Sequence, residues 1–499
     1  MKTNIYSLLL LAGLAFIGCK QEYPTAPVIG ISDENNEENN DTEEVASADI
    51  TLTVDLNSDN GKISNMLTGV NLLYCFEKDN LWAGDPEKKI ENYLKKMKSG
   101  VLRYPGGKIV EAWHWDNPNG QFAMDSWNPN YDSSNDKHDS EFMNLEEYMA
   151  VVKELNAEPL IGINITSGIK WKNNVQESVK EAKALVQHCV DNNYNVKYYY
   201  IGNEPYHTDA TLKLSAEEYG EEINRFADAI HEIDPDAQIV ANWDRNVTAA
   251  NMGKLLQKAG ANIDIMEIHW YWSWGTASWD LWKTQIPMSA KNQWYTGGKP
   301  HYEEVQKFNE FADKLGCGHI KFASLEWNIA PSANEKSTPN EFQMALMQSE
   351  MLMQFMEGGL CMATFWPLHY DTSNDRRYML DASNGYKPRY TIDVFSMIAP
   401  LQGGTMLSRK SSTKELYSII SKGDDGKIRV ALLNKNFASR KCALNFKEDF
   451  SQKNISVECY YEGETEGQAI ISKDIKPLFE NGVMIVDLPS YSLAVLTID

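Results

Sequence analysis

The segment Lys197-Tyr198-Tyr199-Tyr200-Ile201-Gly202-Asn203-Glu204-Pro205 is a short run of β-forming residues that stops at a glycine and a proline, with a carboxylate between them. A run of this length bounded by turn residues is the pattern of a buried strand. Moving outward, seven more such runs appear: Leu67–Tyr74, Val101–Tyr104, Pro159–Ile165, Gln238–Asn242, Ile263–Trp270, Lys321–Trp327 and Cys361–Trp366. Amphipathic stretches separate them, among them Ile90–Met97, Leu145–Leu155, Val175–Val190, Ala216–Ile233, Tyr302–Leu315 and Phe342–Met356. Eight strands alternating with helices predict an α/β fold of the (β/α)8 barrel type over residues 59–398. A doubly wound open sheet is the alternative, but no GxGxxG follows the first strand.

Beyond the barrel the pattern changes. Leu416–Ser421, Ile428–Leu433, Cys442–Phe446, Ile455–Tyr461, Val483–Leu488 and Leu493–Thr497 are strand-like and separated by turns, which predicts a β-sandwich over residues 399–499. Residues 49–58 begin with the alternating run Asp49–Leu56 and are expected to add a strand to that sandwich. The first nineteen residues have the layout of a signal peptide, and Phe16-Ile17-Gly18-Cys19 resembles a bacterial lipobox. Cys19 is therefore the expected lipidation site, and the acidic, Asn-rich residues 20–48 a flexible tether. The expected location is the outer membrane of a Gram-negative-type bacterium, at the cell surface or in the periplasm, with the lipid as the membrane contact. The six other cysteines show no metal-binding spacing; Cys442 and Cys459 are a possible pair, with single buried thiols the alternative.

In a barrel of this kind the C-terminal strand ends build the active site. The fourth strand ends at Glu204 and the seventh at Glu326, in Ser324-Leu325-Glu326-Trp327-Asn328. A carboxylate at such a mouth costs desolvation energy unless it is paired or used. Asn203-Glu204-Pro205 after strand four, with a Glu after strand seven, resembles clan A of the glycoside hydrolases. Leu102-Arg103-Tyr104-Pro105-Gly106-Gly107, followed by Trp113-His114-Trp115, is similar to the α-L-arabinofuranosidase and endo-β-glycanase branch of that clan. The resemblance implies that Glu204 is the general acid/base and Glu326 the nucleophile of a retaining double displacement. It further implies that Arg103 keeps Glu326 ionised, that Asn203 bonds the sugar 2-OH, and that Tyr271 bonds the nucleophile. Trp366 matches the clan's sugar-stacking platform, although a barrel-plugging Trp would look the same. His269 shares a strand face with Tyr271 and is either a site residue or a satisfied core histidine. The pKa of Glu204 is expected to be raised by burial and by the Glu326 charge.

Eight tryptophans, Trp113, Trp115, Trp127, Trp272, Trp274, Trp279, Trp282 and Trp294, crowd the segments after strands two and six, and Trp113 is counted among the substrate-binding candidates. Aromatic faces suit sugar rings. Together these features predict a retaining glycosidase acting on a β-linked polysaccharide or oligosaccharide, in endo fashion. An exo-acting α-L-arabinofuranosidase and a non-catalytic glycan-binding lipoprotein are the alternatives; the segment around Glu326 lacks the Asp-Glu-Trp usual in the arabinofuranosidase branch. The net charge of −23 argues against nucleic acid as a partner. No metal or organic cofactor is implied, because two carboxylates suffice for this chemistry.

Overall fold

The structure, a computed structural model, describes residues 48–73, 90–116, 125–132, 143–245, 247–289, 299–331, 338–370 and 377–499. The expectations for the signal peptide, Cys19 and the tether up to residue 47, and those for Tyr74, Cys75 and Trp294, lie outside the described residues. No helix among the described residues is long and apolar enough to cross a membrane.

Strand β1 (Ile50–Asp55) precedes eight parallel strands that close into a barrel: β2 (Gly69–Asn71), β3 (Val101–Tyr104), β4 (Glu158–Ile163), β5 (Tyr198–Ile201), β6 (Gln238–Asn242), β7 (Ile265–Ala277), β8 (Lys321–Pro331) and β9 (Met362–Phe365). Period-2 alternation sorts their side chains. Val101, Leu160, Tyr200, Val240, Ile265, Ala323, Leu325 and Met362 fill the barrel interior. Their neighbours Leu102, Ile161, Tyr199, Ile201, Ile239, Ala241, Met266 and Ile268 face the helical shell. Helices Leu145–Leu155, Ala216–His231 and Glu341–Gly358 each start at a capping box, with Asn144, Ser215 and Asn340 accepting from the backbone three residues on.

Two strands depart from the sequence expectation. β7 and β8 continue past Trp270 and Trp327 and stay paired above the rim, Tyr271 opposite Asn328 and Trp272 opposite Ile329. In addition, Glu267 lies opposite Ala323 while His269 lies opposite Glu326. Against β9, Ser324 lies opposite Ala363 while Trp327 lies opposite Phe365. β8 thus carries one extra residue relative to both neighbours, a β-bulge at the barrel rim. Such bulges re-aim a side chain next to a site, and here Leu325 stays in the interior while Glu326 turns to the mouth. The Leu325 carbonyl at the bulge accepts from Asn71 Nδ2 at 2.8 Å and from Thr364 Oγ1 at 2.5 Å.

A small sheet of β10 (His369–Tyr370), β11 (Leu380–Asp381) and β12 (Lys387–Pro388) follows the barrel. Two sheets then form the C-terminal sandwich. One has β13 (Thr405–Met406), β15 (Leu416–Lys422), β16 (Ile428–Asn434), β22 (Ser492–Ile498), β18 (Ile455–Glu462) and β19 (Ala469–Ser472) in that spatial order. The other has β14 (Ser408–Ser411), β1, β17 (Arg440–Asn445), β21 (Val483–Leu488) and β20 (Leu478–Glu480). β1 runs parallel to β17, Ile50 opposite Cys442, and antiparallel to β14. Cys442 and Cys459 are buried free thiols on different sheets. The seam between barrel and sandwich carries a fully buried ion pair: Lys435 Nζ lies 2.7 Å from Glu350 Oε2 and donates to the Gln285 carbonyl at 2.6 Å.

Candidate active site

Four barrel strands meet at one cluster of charge. Arg103, on the inward face at the end of β3, is fully buried, with its guanidinium 4.5 Å over the Tyr200 ring. Its Nη1 donates to Glu326 Oε1 at 2.9 Å and to Asn71 Oδ1 at 3.0 Å, and its Nη2 donates to Asn203 Oδ1 at 2.7 Å. The planar fork of Arg thus ties the ends of β2, β3, β5 and β8 together. Tyr271 OH donates to the other oxygen of Glu326 at 3.0 Å.

Glu204 sits one turn past β5. Gly202 (φ 68°) and Glu204 (φ 43°) both take the left-handed conformation. For glycine this is free; for a glutamate preceding proline it is strained. The strain is held by the Glu204 backbone N–H, which donates to Asn242 Oδ1 at the end of β6. Glu204 Oε1 accepts from Tyr206 OH at 3.2 Å and lies 2.7 Å from His269 Nδ1. The same Nδ1 is 3.3 Å from Glu326 Oε2, so one ring nitrogen spans both carboxylates. On the far side of the ring, Nε2 is 3.4 Å from Glu267 Oε1.

Trp366, half-buried at the end of β9, closes one side. A Cβ on Gly107 would stand 2.5 Å from Trp366 Cη2 and 3.5 Å from Glu326 Oε1. The second glycine of the Tyr104-Pro105-Gly106-Gly107 stretch is therefore required for the indole to lie beside Glu326.

The protonation pattern departs from the sequence expectation. Burial raises the carboxyl of Glu204, but the His269 charge beside it outweighs burial and lowers it to about 2. Burial lowers His269, yet Glu326, Glu267 and Glu204 together push it up to about 10. Glu326 is raised by burial against the opposing pull of His269 and Arg103. These directions favour an imidazolium at His269 paired with an anionic Glu204 over a neutral Glu204. By distance alone Glu204, His269 and Glu326 offer three donor atoms within 4.8 Å of one another, as a cation site would. Arg103 and the imidazolium already neutralise these carboxylates, so a divalent ion would meet two fixed cations.

Of the sequence candidates, Arg103, Asn203, Glu204, His269, Tyr271, Glu326 and Trp366 come together here. Trp113 does not. It is buried, edge-on to Tyr104 at 5.4 Å, and lines a small gap with Gly162, Glu181 and Leu185. Its neighbour His114 bridges Asp125 and Glu181 and stacks on Trp127 at 4.5 Å, which anchors the segment after β3. Trp272 and Trp282 are buried, and Trp279 stacks on Trp282 at 4.6 Å. Among the described tryptophans Trp274 alone is exposed, at 62 %, and it meets Tyr271 edge-on at 5.2 Å. Four site residues were not anticipated: Asn71, Tyr206, Asn242 and Glu267. Each had a signal, since Asn71, Asn242 and Glu267 are polar residues within apolar runs and Tyr206 follows Pro205 directly.

Residues 93–284 match the family model described as the Alpha-L-arabinofuranosidase 1 domain. The intracellular exo-α-(1→5)-L-arabinofuranosidase 1 of Bacillus subtilis (strain 168) is 22 % identical over 199 residues, covering 37 % of this chain and 39 % of the relative. The chain thus spans about two fifths of the length of that curated relative. The α-L-arabinofuranosidase of Thermotoga maritima, solved with arabinose, superposes with a TM-score of 0.68 at 18 % identity, over 90 % of this chain and 99 % of that one. CelM2, a bifunctional glucanase-xylanase from a metagenome library, superposes with a TM-score of 0.62 at 13 % identity, over 90 % and 99 %. In its barrel, its sandwich and its sequence over residues 93–284, the chain resembles the clan A glycoside hydrolases near their α-L-arabinofuranosidase branch.

Proposed function

We propose that the chain is a retaining glycoside hydrolase that releases α-L-arabinofuranosyl groups, with Glu326 as nucleophile and Glu204 as acid/base. One observation carries the reaction class: the carboxylates of Glu204 and Glu326 face each other across His269, their facing oxygens within 4.8 Å. Retaining enzymes hold the pair about 5–5.5 Å apart, whereas inverting ones leave about 6.5–9.5 Å for a water. The sugar rests on the family match and on the curated relatives, which favour the arabinofuranosidase alternative over the endo-acting one.

Arg103 and Tyr271 fix both oxygens of Glu326, so that the carboxylate is aimed at an anomeric carbon and remains ionised. As it attacks, its charge is consumed in the new C–O bond and its hold on the His269 proton weakens. His269 Nδ1 lies 2.7 Å from Glu204 Oε1, so the proton passes to Glu204, which hands it to the departing oxygen. In the second step Glu204 takes a proton from water, the hydroxyl adds to the anomeric carbon, and the bond to Glu326 breaks. The His269 proton returns, and no net proton is gained or lost. Asn203, held by Arg103, is positioned for the 2-OH.

The test is hydrolysis of 4-nitrophenyl α-L-arabinofuranoside beside β-1,3-glucan, mixed-linkage glucan and xylan, with product anomers followed by NMR. Arabinose released first in the retained configuration supports the assignment. Oligosaccharides from a β-glycan with the arabinoside untouched would overturn the sugar, and unchanged turnover in Glu204→Gln would overturn the acid/base. The second reading, endo action on a β-linked glycan, is favoured by the exposed Trp274 at the mouth, a surface fit for a further sugar. Export and lipidation at Cys19 belong to the same proposal, and radiolabelled palmitate incorporation that survives Cys19→Ala would sink them.

A further inference from the structure

Glu267 is the least expected residue near the site. It is fully buried in the middle of β7, between Met266 and Ile268, which face the helices. Neither of its oxygens accepts a hydrogen bond among the described residues. Its closest charged contact is His269 Nε2, at 3.4 Å. A carboxylate in this position is costly, and an apolar residue would fill the layer without that cost.

The imidazole therefore lies between carboxylates, with Nδ1 2.7 Å from Glu204 and 3.3 Å from Glu326, and Nε2 facing Glu267. A neutral ring has one N–H and one lone pair, so it would turn the lone pair toward an anion on one side. Only the imidazolium, with two N–H groups, suits both sides at once. We infer that Glu267 is a positioning residue that fixes His269 with Nδ1 toward the Glu204–Glu326 pair and keeps both ring nitrogens protonated in the resting enzyme.

The other charged and titratable groups around the ring do not replace it. Arg103 from β3 is a cation and opposes a second positive charge. Glu204 and Glu326, from the ends of β5 and β8, change their own charge during the reaction. Tyr271 from β7 donates to Glu326, and Tyr206 donates to Glu204. Among the described residues Glu267 is the carboxylate facing the ring that takes no part in bond making, so its place beside Nε2 is the same in both steps. Burial lowers His269, and Glu267 is among the three carboxylates that push it up to about 10.

The inference deepens the hydrolase proposal and rests on it for turnover, while ring orientation and charge are measurable without a substrate. The test is NMR of the full chain carrying histidine labelled in its ring, with His269 assigned through His269→Asn. His114, held between Asp125 and Glu181 and pushed up to about 9, is the internal control. In the wild type both ring nitrogens of His269 should show protonated shifts at pH 8; a neutral tautomer there would overturn the inference whatever the variants do. In Glu267→Gln the His269 midpoint should fall by about one pH unit or more, with His114 unmoved. A His269 midpoint that stays in place in the folded variant overturns it too. With 4-nitrophenyl α-L-arabinofuranoside, the alkaline limb of kcat/KM should move down with that midpoint. A uniform loss at all pH values would point to simple misfolding and count against the assignment. A wild type inactive on every glycoside would sink the hydrolase proposal, while the resonance shifts would still decide the role of Glu267.

Discussion

Two buried ion clusters, one at the barrel mouth and one at the seam with the sandwich, use the same ingredients to opposite ends. At the seam, Glu350 Oε2 accepts from Lys435 at 2.7 Å and Trp282 Nε1 at 2.6 Å, and Oε1 accepts from the Met288 backbone at 2.6 Å and Gln354 at 3.3 Å. Lys435 also lies 4.1 Å over the Trp282 ring. Both oxygens are saturated with donors, and one ammonium faces one carboxylate. At the mouth, three carboxylates face one guanidinium and one imidazole, and Arg103 Nε, His269 Nε2, Asn242 Nδ2 and both Glu267 oxygens lack hydrogen-bond partners among the described residues. A saturated cluster has one protonation state and holds elements in place. An unsaturated cluster with shared protons has several states close in energy, which is what proton transfer requires.

The sharpest way to break this contrast is to cut each cluster and measure both properties. Glu204→Gln should lower kcat/KM on glycosides with poor leaving groups by roughly 10²–10⁴-fold, the range for a positioned acid or base, and leave the urea unfolding midpoint in place. Glu350→Ala should do the reverse. It strands the Lys435 ammonium in the seam and removes the acceptor of Trp282 and Met288, a change that costs about 3–5 kcal/mol when one partner of a buried pair is lost. Its turnover per folded molecule should match the wild type. Loss of activity in Glu350→Ala below its unfolding midpoint would show that the two clusters are not separable.

Alkaline pH should part them more gently. Turnover falls at low pH as Glu326, raised by burial, gains a proton, so the acid limb lies above the ordinary glutamate range. It falls again as His269 loses its proton at about 10. Lys435 responds in the other sense. Burial lowers its pKa in the folded chain, so between that value and the ordinary lysine value the unfolded chain binds more protons and stability from this group rises with pH. The stability of the wild type relative to Lys435→Met should therefore grow as pH rises toward the ordinary lysine value, while turnover declines as His269 loses its proton. Parallel declines in both would refute the assignment of separate roles.

How much of this was legible in the sequence follows from the range of the forces involved. The eight barrel strands show because each is a local apolar run between turn residues, and Glu204 shows because Gly202 and Pro205 frame it. Glu326 shows at the barrel rim, although β8 runs on past it, and the bulge that aims it depends on pairing with β7 and β9, which no local pattern encodes. The burial of Trp113 is hidden for the same reason: an aromatic residue after a strand can lie open or packed, and contact with Tyr104 decides. The sequence shows the Glu326 neighbour of Glu204 but not that His269 Nδ1 lies 2.7 Å from it, which turns the shift of its carboxyl downward. Glu267 and Glu350 are acidic residues in apolar stretches, visible as anomalies, but only the fold separates a carboxylate with a full set of donors from one without.

The smallest expected effect tests the aromatic side of the contrast. Trp282 at the seam and Trp274 at the mouth present the same indole, one buried under Lys435 and stacked on Trp279, the other 62 % exposed beside Tyr271. Trp282 is part of the packing, so its loss would be read mainly in stability. Trp274 touches little of its own chain, so Trp274→Ala should leave the unfolding midpoint unchanged. If a sugar stacks there, the variant loses about 0.5–1.5 kcal/mol of contact, the worth of an aromatic pair beyond burial, or roughly two- to twelvefold in kcat/KM. The loss should appear on oligosaccharides long enough to reach past Tyr271 and be absent on the 4-nitrophenyl monosaccharide. An equal loss on both would instead place Trp274 behind the position of Tyr271, acting on Glu326 through that hydroxyl rather than on the glycan.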